Sequence, residues 1–161
     1  MVTITSMSLS HINEKGEAHM VDVSSRSETI RESSARARVI LKPEVLDAIT
    51  QNNVPKGDVL ATARLAGIMG AKKTSELIPL CHPIAIHKVE IAFDVQSDGI
   101  NITSFVKTAD RTGVEMEALT AVSVAGLALI DMIKSMDSHA QLTNIQIESK
   151  SGGKNGDWVR T

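Results

Sequence analysis

Asp131 and Lys134 stand three positions apart near the end of a long apolar stretch, "VEMEALTAVSVAGLALIDMIKSM", residues 114–136. On a helix that spacing puts both side chains on one face, about one turn apart. A structural ion pair is one reading. The other is a pair for acid–base work, because Asp131 follows the uncharged run Ala118 to Ile130, and partial burial beside an opposite charge tunes such groups for proton transfer. At the other end of the stretch Glu115 and Glu117 either answer the positive end of the helix dipole or meet a ligand. The helix would hold Glu117 and Asp131 about 21 Å apart, at about 1.5 Å per residue. Both cannot act on one atom within one chain, so the ligand is long or a neighbouring chain completes the site.

A second candidate is "IPLCHPIAIHK", residues 78–88, which holds the chain's one cysteine. Cys81, His82 and His87 do not match zinc-ligand spacings, and no further ligand stands nearby, so no metal is expected there. Adjacent side chains on an extended segment point to opposite sides, which argues against a Cys-His dyad. Pro79 and Pro83 stiffen the backbone around Leu80, Cys81 and His82. That leaves a rigid turn around a small buried thiol, or a wall that reads a ligand; His87 is expected to be a surface or structural residue.

Basic residues are spread along the chain as Lys56, Arg64, Lys72, Lys73, Lys150 and Lys154. "KSGGKNGD", residues 150–157, combines lysine with glycine, which lets backbone N–H groups approach an anion. It lacks the G-x4-GK[ST] pattern of nucleotide hydrolases. Taken alone, such a stretch is more often a mobile tail.

The elements that must position these residues can be read from periodicity. Residues 1–10 carry no strong period and are expected to be a disordered leader, with a single domain over 11–161. "MVDVS" and "ARARVILK" read as strands, and Lys42-Pro43 opens a helix running to Ile49. Asp58 caps a helix through Leu77 whose Ala63, Ala66, Gly67, Gly70 and Ala71 form a small-residue surface. Lys88 to Val95 and Ile100 to Thr108 flank "QSDG" and should pair as a hairpin. Val114 to Met136 is a helix apolar almost all round, and "QLTNIQIESK" is a last strand. The order predicts an α+β fold, an antiparallel sheet covered by helices.

Composition removes several function classes. Lys plus Arg number 17 against 19 Asp plus Glu, so nothing in the overall charge attracts nucleic acid or an anionic membrane. Two Phe, one Trp and no Tyr leave few faces for stacking bases. One cysteine allows no internal disulfide, and the N-terminus lacks a signal-peptide pattern, so the cytoplasm is the expected compartment. The charge-free run from Ala118 is too short for the roughly 20 residues of a membrane span.

"KGDVLATARLAGIMGAKKTSELIPLCHPI", "TGVEMEALTAVSVAGLALIDMIK", "KSGGKNGDW" and "HMVDVS" together resemble the molybdenum cofactor biosynthesis protein C family, the cyclic pyranopterin monophosphate synthases. The resemblance covers about Ser10 to Asp157. It implies a ferredoxin-like subunit in a homohexamer, a trimer of dimers, with active sites at subunit interfaces. It implies conversion of a cyclised GTP derivative, 3′,8-cyclo-7,8-dihydro-GTP, into cyclic pyranopterin monophosphate with release of pyrophosphate. On this likeness Asp131 is the catalytic aspartate and Lys134 its partner. Leu80, Cys81 and His82, and Glu115, Met116 and Glu117, match substrate-binding stretches. Lys56, Lys72, Lys150 and Lys154 match basic positions suited to the triphosphate. The resemblance implies no tightly bound cofactor, with Mg²⁺ accompanying the triphosphate.

Overall fold

The computed structural model describes residues 11–153 and 156–161; the expected leader, 1–10, and Lys154 lie outside the described residues. Its elements are β1 (Thr29–Ile40), α1 (Pro43–Thr50), α2 (Val59–Lys72), α3 (Thr74–Leu77), β2 (Ile86–Gln96), β3 (Gly99–Asp110), α4 (Glu115–Ile133), β4 (Gln141–Ser151) and β5 (Trp158–Val159). The strands lie in the order β2-β3-β1-β4-β5, and every pairing is antiparallel. Two crossings interleave: β1 reaches β2 through α1 to α3, and β3 reaches β4 through α4. This is an antiparallel α+β sheet, as the sequence pattern predicts, in the ferredoxin-like arrangement that the family resemblance implies.

Period-two alternation decides which sheet face is covered. Ser33, Ala35, Ala37 and Val39 of β1, and Ile100, Ile102, Ser104, Val106 and Thr108 of β3, are buried. Against them α4 buries Ala118, Ala121, Val122, Ala125, Leu129 and Ile133. Small residues on β1 let α4 lie close, and the buried Ser104 Oγ donates to the Ala118 carbonyl at 2.8 Å. The opposite sheet face carries ion pairs, Arg36 with Glu148 and Lys107 with Glu32.

The small-residue surface of α2 meets α4 of the same chain. A Cβ on Gly67 would fall 2.3 Å from Ile91 Cδ1 and 2.8 Å from the Ala121 carbonyl oxygen, and one on Gly70 would fall 2.8 Å from Val124. Asp58 caps α2, accepting from the Ala61 N–H at 2.9 Å. Lys42 has no capping side chain for α1. Buried Asp137 takes that role instead, accepting from the Lys42 N–H at 3.0 Å and the His139 N–H at 3.0 Å.

Several boundaries differ from the sequence reading. Among the described residues "MVDVS" pairs with no strand; it belongs to an irregular strap, residues 11–28, and β1 begins at Thr29. The helix expected to run to Leu77 breaks at Lys73 and resumes as α3, because buried Thr74 turns its Oγ back to the Ala71 carbonyl at 3.0 Å. Gly99 is a strand residue paired with Gln96, so the hairpin loop is Ser97-Asp98. Glycine is needed there because a Cβ would fall 2.4 Å from the Val39 carbonyl oxygen. Past the glycines, Trp158 and Val159 return to pair with Lys150 and Ser149.

By length and composition α4, with 19 residues, is long and apolar enough to cross a membrane, although its charge-free run is shorter. More than half of it is buried against α2 and the sheet, as a core helix is.

Candidate active site

The two ends of α4 carry two separate groups of polar residues. At its N-terminal end the loop 78–85 and the strap enclose a cavity of ≈ 270 Å³, lined by Leu80, Cys81, His82, Glu115, Met116 and Glu117, with Val21 and Arg26 from the strap. Loop and helix are therefore neighbours, although they are far apart in sequence, at 78–85 and from Glu115 on. The loop is shaped by a turn in which the Cys81 N–H donates to the Ile78 carbonyl at 3.0 Å. It is tied to β3 by Thr108 Oγ, which donates to the Ala85 carbonyl at 2.6 Å.

His82 Nε2 lies 2.8 Å from the Val21 carbonyl oxygen. A carbonyl only accepts, so Nε2 carries a proton and the bond fixes the orientation of the ring against the strap. Glu117 is 4 % exposed. Burial, helped by the charge of Glu115, pushes its carboxyl from an ordinary 4.5 up to about 7. Burial first, and the Glu117 carboxylate second, push the Cys81 thiol up. Cys81 is thus disfavoured as a thiolate nucleophile and stands as a wall residue. Glu115 receives Lys150 from β4, Nζ to Oε1 3.4 Å. Gly113 makes room for this carboxylate: a Cβ there would lie 1.9 Å from Glu115 Oε2.

Lys56, Asp131 and Lys134 meet at the other end of α4. Lys134 Nζ lies 2.7 Å from Asp131 Oδ1, and Lys56 Nζ lies 3.2 Å from Oδ2 and 2.7 Å from the Asp131 carbonyl oxygen. The side chains of Asp131 and Lys134 are 58 % and 62 % exposed. The expected desolvation of Asp131 is absent within one chain, because the uncharged run turns its side chains to the core while Asp131 faces outward. The hydrogen bond from Lys134, then that from Lys56, holds the Asp131 carboxyl below the usual carboxylate range.

Lys72 is exposed in the last turn of α2 and lines neither this cavity nor the Asp131 cluster. His87 is structural: its Nδ1 accepts from the Ala109 N–H at 3.3 Å. Among the described residues no three His, Cys, Asp or Glu side chains converge as metal ligands do. Sequence reasoning did not single out the strap residues Val21 and Arg26, Arg31 of β1, or Thr112-Gly113; the polar break "DRTG" between strand and helix was the available signal for the last two.

A sequence model described as the MoaC family matches residues 20–153. The chain is 57 % identical over 153 residues to a cyclic pyranopterin monophosphate synthase of Streptomyces griseus subsp. griseus, covering 95 % of this chain and 86 % of the relative. A protein of the same name from Nostoc sp. is 54 % identical, with 95 % and 92 % covered. Another from Brucella ovis is 51 % identical, with 94 % and 93 % covered.

Proposed function

The chain belongs to the MoaC family, and from that membership we propose that it is a cyclic pyranopterin monophosphate synthase, a phosphorus–oxygen lyase of molybdenum cofactor biosynthesis. Its substrate is 3′,8-cyclo-7,8-dihydro-GTP and its products are cyclic pyranopterin monophosphate and pyrophosphate. The observation that carries the reading is identity of 57 % across 95 % of the chain. The cavity at the start of α4 has the groups such a ring rearrangement needs: a carboxyl that holds its proton near neutrality, Glu117, and an imidazole held in place by the strap, His82.

The active site is completed between chains. One chain supplies Leu80, Cys81, His82, Glu115, Met116, Glu117 and Lys150, and a neighbour supplies Lys56, Asp131 and Lys134. This assignment is supported by the length of α4, which keeps its two polar ends about 21 Å apart. It is also supported by the apolar side chains that α2 and α4 leave outside: Leu65, Met69 and Leu127 are 61 %, 51 % and 60 % exposed. Such a face is what a chain packing into a homohexamer would cover. The enzyme works in the cytoplasm on a small molecule, with neither nucleic acid nor membrane as partner.

Proton transfers that open the purine and close the pyran pass through Asp131 and Lys134 once a neighbour desolvates them, with His82 and Glu117 on the facing wall. A hydroxyl of the ribose-derived part then forms a bond to the α-phosphorus. The bond from that phosphorus to the bridging oxygen breaks, and pyrophosphate leaves with the electron pair. Lysines stabilise the charge that accumulates on the leaving group. Mg²⁺ enters with the triphosphate as part of the substrate.

The test is product analysis after mixing purified protein with 3′,8-cyclo-7,8-dihydro-GTP. Cyclic pyranopterin monophosphate and pyrophosphate in equal amounts are expected. Binding without either product would make the chain a nucleotide-binding protein instead. Asp131→Asn should keep fold and assembly and lose most product formation; near-normal turnover would remove Asp131 from the chemistry. Retained turnover in Lys134→Ala would reduce Lys134 to a structural ion pair.

A further inference from the structure

The strap, residues 11–28, lines the cavity of His82 and Glu117 with Val21 and Val23, yet little fastens it to the rest of the chain. None of its residues is buried, and the apolar core begins only at Ala35. Among the described residues its backbone–backbone bonds close within it, as from the His19 N–H to the His11 carbonyl and from the Arg26 N–H to the Val23 carbonyl, each 3.0 Å. Asp22 Oδ1 adds another local bond, accepting from the Ser24 N–H at 2.8 Å. Such a segment keeps its own shape without the body beneath it. It belongs to the low end of local stability, where proteins open first.

Among the described residues only two side chains of the body bond the strap. His82 reaches the Val21 carbonyl at 2.8 Å. Arg111 donates from Nη1 to the Ser24 carbonyl at 3.2 Å, and its Nη2 lies 3.5 Å from Glu28 Oε1. His82 is part of the cavity wall, whereas Arg111 does not line the cavity.

Arg111 stands where backbone pairing stops. Thr29 and Asp110 form the last rung between β1 and β3 at this end of the sheet. One residue further, at Glu28 and Arg111, side chains take over from the ladder and set the direction in which the strap leaves the sheet. Both side chains are largely exposed, 66 % for Glu28 and 40 % for Arg111, so the contact is weak and easily broken. Arg111 Nε is also buried without an acceptor among the described residues, and an unmet buried donor weighs against this arrangement. Closed and open positions are therefore close in free energy.

We propose that the strap is a lid over the cavity of His82 and Glu117, and that Arg111 is the positioning residue that holds it closed. With the strap down, Val21 and Val23 cover the ligand and shield it from water. With the two latches released, the strap swings about Glu28 and the cavity opens. A ligand that touches the strap and the wall beneath it favours the closed position, because only that position offers both contacts. The identity of the ligand rests on the synthase reading above; the lid itself does not.

The test is hydrogen exchange of the purified full-length protein without ligand, read by mass spectrometry. Strap amides 21–27 should exchange faster than those of β1 in wild type. In Arg111→Met they should exchange faster again, by about three- to ten-fold for one lost charge-assisted contact, while β2 and β3 stay unchanged. Arg111→Lys should restore most of the protection. Glu28→Gln weakens the same contact from the strap side and should move the strap amides in the same direction by less. With 3′,8-cyclo-7,8-dihydro-GTP, Arg111→Met should raise KM by a similar factor and move kcat little, and Arg111→Lys should recover most of the loss. Strap amides as slow as those of β1 in unliganded wild type would overturn the lid. Wild-type exchange and KM in Arg111→Met, or a loss of kcat at unchanged KM, would overturn the role of Arg111. Glu28 is exposed, so unchanged strap exchange in its variant would overturn the latch even where Arg111→Met folds poorly. Arg111-dependent strap exchange in a protein that forms no product would uphold the lid and remove only the synthase reading.

Discussion

Glu117 is the residue whose environment departs furthest from its chemistry, a carboxyl 4 % exposed and held protonated to about pH 7. In the unfolded chain it ionises near 4.5. Between these values the folded state binds the extra proton, so stability falls as pH rises through that window and the penalty is complete above 7. A shift of that size corresponds to about 3 kcal/mol at most. Glu117→Gln keeps the shape and removes the charge. Urea unfolding should find it more stable than wild type at pH 8 and nearly equal at pH 4.5; an identical difference at both values would show that Glu117 is not held neutral. Which residues line the cavity at the start of α4 was only partly legible in the sequence. "LIPLCHP" and "TGVEMEAL" are legible because prolines, a lone thiol and paired carboxylates leave few other uses. The exposure of Asp131 was not legible, since an uncharged run reveals which residues seek the core but not where the helix end turns. Lys56 pairs with it across 75 positions, and no local pattern records that contact.

At the scale of elements, the positions that fix the active end of the fold are joints between helices and sheet. Asp137 caps α1 from a distance, accepting two backbone N–H bonds while 3 % exposed. Asp137→Ala leaves both donors unmet and should cost about 1–3 kcal/mol at pH 7. The Lys42 N–H, ahead of the other contacts, keeps this carboxyl below its ordinary 3.8. Its contribution is therefore present above that value and lost as pH falls through the lowered one, so the deficit of Asp137→Ala should shrink in strong acid. A deficit independent of pH would assign the loss to packing instead. Gly67→Ala drives a Cβ against the Ala121 backbone, whereas Gly126→Ala meets only the mobile end of Leu142, 2.5 Å from its Cδ1. The first should destabilise by about 1–3 kcal/mol and the second clearly less, compared by thermal unfolding. The strands and long helices were legible because alternation and apolar periodicity survive tertiary context. The strap was not: "MVDVS" alternates like a strand, yet tertiary contacts use its backbone otherwise, with Val21 offering its carbonyl to His82.

For the whole molecule, the separation of the two polar groups along α4 sets a requirement that no single-chain site shares. If each active site takes its Asp131 group from one chain and its His82 group from another, two inactive variants can repair each other. Asp131→Asn damages the first half-site and His82→Ala the second, and each alone should form little product. When the two are unfolded, mixed in equal amounts and reassembled, a site is intact only where a His82→Ala chain supplies Asp131 and an Asp131→Asn chain supplies His82. Random association makes that about one site in four, so activity should recover to about a quarter of wild type. Mixing folded variants without subunit exchange should recover nothing until exchange occurs, and the time course of recovery then measures the exchange rate. No recovery after verified co-assembly would mean that each chain works with its own Asp131. The two ends of α4 would then have to approach by a rearrangement larger than a rigid helix of 19 residues permits.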